Sequence, residues 1–93
     1  MLAKFPTDGK GLTKKVLDQQ LLRLGIIAEL DAIDLYEQSA AATSDKRLKA
    51  VFLDVAREEK THVGEFMTLL LDVDKEQVRE MEAGKKEIRE EFS

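Results

Sequence analysis

The sequence predicts an all-α chain: two long helices folded into an antiparallel hairpin, followed by a shorter C-terminal helix. Three observations carry this expectation. The chain is 37% charged and rich in Leu, Ala, Glu and Lys, yet it holds one Pro and five Gly. Such a composition favours long amphipathic helices over sheet. Apolar residues recur at intervals of three and four in three separate stretches, which is the period of a helix face. Short clusters of Thr, Ser and Asp stand between these stretches, and such residues cap helices and make tight connections. At 93 residues the chain is one small domain. A domain of that size buries a limited fraction of its surface, so partner chains are expected.

Residues 1–12 contain Pro6, Asp8-Gly9 and Gly11 without an apolar period, and are expected to form a flexible N-terminal arm ahead of a helical domain over 13–93. The first helix runs from Lys14, with Thr13 as its cap, to about Ala42. Its apolar residues, among them Leu17, Leu22, Ile26, Ile27, Leu30 and Ile33, are too dense for one stripe. Burial on more than one face is implied. Thr43-Ser44-Asp45 supplies a turn and the next cap, and the second helix runs from about Asp45 to Leu71. Each helix is roughly 40 Å long at the rise of an α-helix, and so short a connection makes them antiparallel. Asp72-Val73-Asp74 ends the second helix. Asp74 followed by Gln77 resembles a capping box opening the third. There Val78, Met81, Lys85, Ile88 and Phe92 form a thinner stripe suited to docking on another surface.

Composition also removes several function classes. Without Cys there is no disulfide, Cys-ligated zinc, iron–sulfur centre or thiol catalysis. A net charge of −4 and a pI near 5.0 argue against nucleic acid, whose phosphates need a basic surface. Apolar runs are too short to cross a membrane, and no secretory pattern follows Met1. The expected setting is soluble and cytoplasmic.

The informative residues are polar ones on apolar stripes. In the first helix Leu22, Ile26, Glu29, Ile33, Tyr36 and Ala40 share a face, with Glu29 in the middle. In the second, Leu48, Phe52, Val55, Glu59, His62, Phe66 and Leu69 follow the same rhythm, interrupted by Glu59 and His62. An unpartnered carboxylate in such a seam costs several kcal/mol, more than a small domain can spare. Glu29 lies about fourteen residues before the turn at Thr43 and Glu59 about sixteen after it, so an antiparallel hairpin sets them side by side. Glu59-x-x-His62 presents a carboxylate and an imidazole one turn apart, a spacing by which one helix feeds one metal site. Oxygen ligands plus imidazole suit iron or manganese, with zinc as a further fit. One chain carries half of a bundle di-iron site, and two hairpins about a twofold axis would complete it as a four-helix bundle. Iron or manganese, with zinc still possible, would then be shared between two chains. Tyr36 lies two turns from Glu29 toward the loop. Asp31 could attract incoming cations near a symmetric opening. The competing readings are a metal-free oligomerisation module and a zinc-stabilised structural assembly with the same ligands.

The stretch Ile26-Ile27-Ala28-Glu29-Leu30-Asp31-Ala32-Ile33-Asp34-Leu35-Tyr36, followed by Arg57-Glu58-Glu59-Lys60-Thr61-His62, resembles the encapsulated ferritins, ferritin-like proteins housed in encapsulin nanocompartments. The similarity extends over residues 13–92. With Ala56 and Val63-Gly64-Glu65-Phe66-Met67 it looks closest to the archaeal type that can be fused to the shell protein. The resemblance implies a hairpin with a C-terminal helix, dimers forming a ferritin-like bundle, a ring-shaped homodecamer, and the encapsulin shell as partner. It implies ferroxidase activity, the oxidation of iron(II) by dioxygen to feed iron storage, at a centre formed between two chains. Glu29, Glu59 and His62 match the metal ligands, and Tyr36 the nearby tyrosine. Two departures stand out: Ala28 and Leu35 replace an acidic residue and a tryptophan that family members often place beside the position of Asp31. The resemblance therefore implies a weakened metal-entry site. No encapsulin-targeting peptide is recognisable after Phe92. Within ferritin-like folds the rival is a peroxide reductase of rubrerythrin type, which without Cys would need a separate electron donor.

Overall fold

A computed structural model describes residues 12–93, and within them the chain is three helices: α1 over Lys14–Ala42, α2 over Lys46–Val73 and α3 over Lys75–Phe92. The expected N-terminal arm lies, apart from Leu12, outside the described residues. Each helix starts where a side chain satisfies its first free N–H groups. Thr13 Oγ1 accepts from the Val16 amide at 3.1 Å. Asp45 Oδ1 accepts from Arg47 and Leu48 at 2.8 and 3.2 Å. Asp74 Oδ1 accepts from Gln77 at 3.0 Å. The caps read from the sequence are therefore the caps observed, and α2 runs two residues past the expected end at Leu71.

α1 and α2 pack along their length as an antiparallel hairpin, while α3 leaves it and touches only the end of α2. The described chain measures 48 × 45 × 20 Å, the outline of a hairpin with an arm. No residue of α3 is buried. The α1 side of the seam is the expected stripe, with Ile26, Ile33 and Ala40 buried and Leu22, Glu29 and Tyr36 half-buried between them.

The α2 side departs from expectation. Its buried residues are Ala56 and Leu70, so the seam runs Phe52, Ala56, Glu59, Val63, Phe66, Leu70, Val73. Leu48 and Leu69, expected in the core, are 50% and 53% exposed. Two stripes of the same rhythm overlap at Phe52, Glu59 and Phe66, and both are apolar. The small side chain of Ala56 lets the backbones approach, which selects the stripe that contains it. The rejected stripe becomes a flank: Leu48, Val55, His62 and Leu69 recur every seven residues, joined by Val51. The opposite flank is charged, where Lys60 Nζ meets Glu37 Oε2 at 3.1 Å. Among the described residues no helix is long and apolar enough to cross a membrane.

Candidate metal centre

Midway along the seam, α1 contributes Glu29 and α2 contributes Glu59 and His62. One ligand atom from each lies within 4.8 Å of the others. His62 Nδ1 stands 3.4 Å from Glu29 Oε1 and 3.6 Å from Glu59 Oε2. These separations are too long for well-formed hydrogen bonds. They are close to the spacing of atoms that share one ion at about 2.1 Å. The juxtaposition comes from two periodicities: Glu29 sits in the α1 seam between Ile26 and Ile33, and Glu59 and His62 are one turn apart on α2.

Burial sharpens the chemistry. The Glu29 and Glu59 side chains are 17% and 19% exposed, whereas His62 is 44% exposed at the edge of the seam. Glu29 Oε2 is buried and has no hydrogen-bond partner. A buried acceptor left without a donor costs roughly 1–3 kcal/mol, more when charged, and the buried residues one turn either side of it on α1, Ile26 and Ile33, carry no donor in their side chains. A divalent cation would compensate that oxygen. The donor set of two carboxylates and one imidazole fits iron or manganese, and accepts zinc.

Of the five residues singled out in the sequence, three meet. Tyr36 is not among the cluster's ligands; its ring stacks on Phe52 across the seam, with centroids 6.1 Å apart and planes inclined by 20°. Asp31 is exposed. Two residues from Glu29, it lies about 200° round the helix, away from the seam. Among the described residues no second cluster of potential metal ligands includes it.

One neighbour of the cluster escaped sequence reasoning. A Cβ placed on Gly25 would lie 3.3 Å from Phe66 Cε2 and 3.4 Å from two further ring atoms. Its signal was a lone glycine inside a run of strong helix formers.

The family model described as EncFtn-like matches residues 6–91. A ferritin-like–encapsulin shell fusion protein of Pyrococcus furiosus is 57% identical over 93 aligned residues, covering 97% of this chain and 27% of its own length. The encapsulin nanocompartment cargo protein EncC of Myxococcus xanthus is 40% identical over 67 residues, covering 69% of this chain and 52% of its own length. The chain thus spans about a quarter and about half of these curated relatives. Among solved structures, the crystal structure of the encapsulated ferritin domain from Pyrococcus furiosus matches with a TM-score of 0.83 at 49% identity, over 97% of this chain and 94% of the other.

Proposed function

The chain belongs to the EncFtn-like family, and from that premise we propose that it is a ferroxidase, oxidising iron(II) to iron(III) with dioxygen at a di-iron centre shared by two chains. The observation that carries the proposal is the desolvated, unpartnered Glu29 Oε2 beside Glu59 and His62. Supporting it, the relatives' names speak of a ferritin-like domain and of encapsulin cargo.

Iron is here the substrate, and it supplies the redox change. The protein supplies ligands, neutralising charge and exclusion of water. Glu59 of each chain would be the carboxylate shared between the paired ions, and Glu29 and His62 of each chain would complete the ligands of one ion. His62 must present a neutral nitrogen, and Nδ1 is the one facing both carboxylates. Two chains bring four carboxylates against two divalent ions, so the charges cancel when the pair is loaded, and without metal the carboxylates repel one another across the interface. The apolar flank around His62, with Leu48, Val51 and Leu69 exposed, is the face that the second copy covers. Tyr36 lies two turns from Glu29 toward the loop, stacked on Phe52, and Asp31 contributes at most a weak entry site. A ring-shaped homodecamer enclosed by an encapsulin shell in the cytoplasm is the proposed setting, with iron stored in the shell.

The test is iron(II) oxidation in air, followed by the absorbance of the ferric product. His62→Ala should lose rapid oxidation, with a helical circular dichroism spectrum retained. Turnover equal to wild type in that variant would refute the assignment.

A further inference from the structure

We propose that Gly25 is a positioning residue for the Glu29–Glu59–His62 cluster, acting through the ring of Phe66. The inference rests on the metal-binding reading above and concerns how the two helices are held at the right separation. Three described glycines lie inside helices, where each costs about 1 kcal/mol relative to Ala. A Cβ on Gly64 or Gly84 would meet nothing within 4 Å. On Gly25 it would press on three atoms of the Phe66 ring, at 3.3, 3.4 and 3.4 Å. Of the three, only Gly25 has another side chain in tight contact with the position its Cβ would take.

That contact is placed one turn from the ligands on both helices at once. Gly25 precedes Glu29 by four residues, and Phe66 follows His62 by four. In an antiparallel pair both offsets point toward the same end of the hairpin. At the other end Tyr36, seven residues after Glu29, stacks on Phe52, seven residues before Glu59. The cluster is therefore bracketed by two aromatic spacers, one seated on a backbone with no side chain.

Magnitudes make the seat matter. A methyl at Gly25 would force Phe66 to give by a few tenths of an ångström. Metal–ligand distances tolerate only about ±0.2 Å, and groups that orient ligands change metal affinity about 10–100-fold when mutated. Phe66 is linked to His62 through one helical turn, so a displaced ring shifts the imidazole relative to Glu29. A small steric change is thereby spent on the site rather than on the fold.

The experiment compares Gly25→Ala, Phe66→Leu, the double variant and Gly84→Ala as a control. Each is titrated with cobalt(II) alone, read from its ligand-field absorbance, and melted without metal. Gly25→Ala is expected to bind cobalt(II) about tenfold more weakly, at the low end for such groups, while its metal-free melting temperature does not fall. Gly84→Ala should gain in melting temperature with no change in affinity. The double variant, in which Leu vacates the ring position, should recover most of the lost affinity; a merely structural glycine would show no such rescue. Wild-type affinity in Gly25→Ala, or a double variant binding no better than Gly25→Ala, overturns the inference and leaves the metal reading intact. A wild-type protein that binds neither cobalt(II) nor iron(II) overturns both.

Discussion

Asp74 and Glu29 are both drawn largely out of water, and the fold treats them in opposite ways. Asp74, at the corner between α2 and α3, is 8% exposed and fully engaged. It accepts from the Gln77 amide at 3.0 Å and from Arg23 Nη2 at 2.8 Å. Beside it Gln19 Nε2 donates to the Val73 carbonyl at 2.8 Å. The Gln77 N–H, above all, holds the Asp74 carboxyl below its ordinary value of 3.8, with Arg23 and Lys15 adding to that against the opposing effect of burial. Glu29 has a histidine nitrogen at 3.4 Å on one oxygen and nothing on the other. The same short chain supplies donors to a buried acid where the acid is structural. It withholds them from Glu29 Oε2, the acid proposed as a ligand.

The largest test of that contrast is Glu29→Leu. It should abolish metal binding while stabilising the metal-free chain by about 1–3 kcal/mol, the cost of an unsatisfied buried group removed. Leu suits a position flanked by Ile26 and Ile33 in the seam. Urea unfolding without metal and a cobalt(II) titration measure the two arms. A less stable metal-free variant would mean that Glu29 is as structural as Asp74, and the comparison would break.

Next in size is a linkage effect. If two copies bring their Glu29 and Glu59 carboxylates together, metal must favour association as well as bind. Sizing the protein with and without iron(II) under anaerobic conditions should show association strengthened by at least about tenfold. An association constant indifferent to metal would place the four carboxylates apart, and His62 would then be exposed to no purpose.

How much of this was legible in the residues follows from the range of the forces involved. Thr13, Asp45 and Asp74 were readable as caps because capping is settled within three residues. Glu29, Glu59 and His62 stand out in the sequence because a polar residue on an apolar stripe violates a local rule, and the structure brings their ligand atoms within 4.8 Å of one another, with His62 at the edge of the seam rather than inside it. The α2 seam is ambiguous by one position in the sequence, since Leu48, Val55 and Leu69 make as good a stripe as Ala56, Val63 and Leu70 until the partner helix chooses between them. The Arg23–Asp74 pair and the seating of Phe66 on Gly25 join residues 51 and 41 positions apart. No periodicity within one helix announces such contacts.

The smallest expected effect concerns Asp74 and its sign can be worked out. A carboxyl held below 3.8 in the folded chain contributes stability in full above that pH, where it is ionised in both states. As pH falls, the unfolded chain takes up the proton first, and the contribution fades until the folded carboxyl is protonated as well. Asp74→Asn isolates this behaviour, because Asn caps a helix about as well as Asp but cannot titrate or form an ion pair with Arg23. Urea midpoints of wild type and Asp74→Asn should differ by a constant amount at neutral pH and converge as pH drops below 3.8. The gap is expected to be modest, since the Arg23 side chain is 46% exposed and solvent screens it. A gap that stays flat through the acid range would assign the corner to hydrogen bonding alone. Asp74 and Glu29 would then differ in their donors and not in the handling of charge.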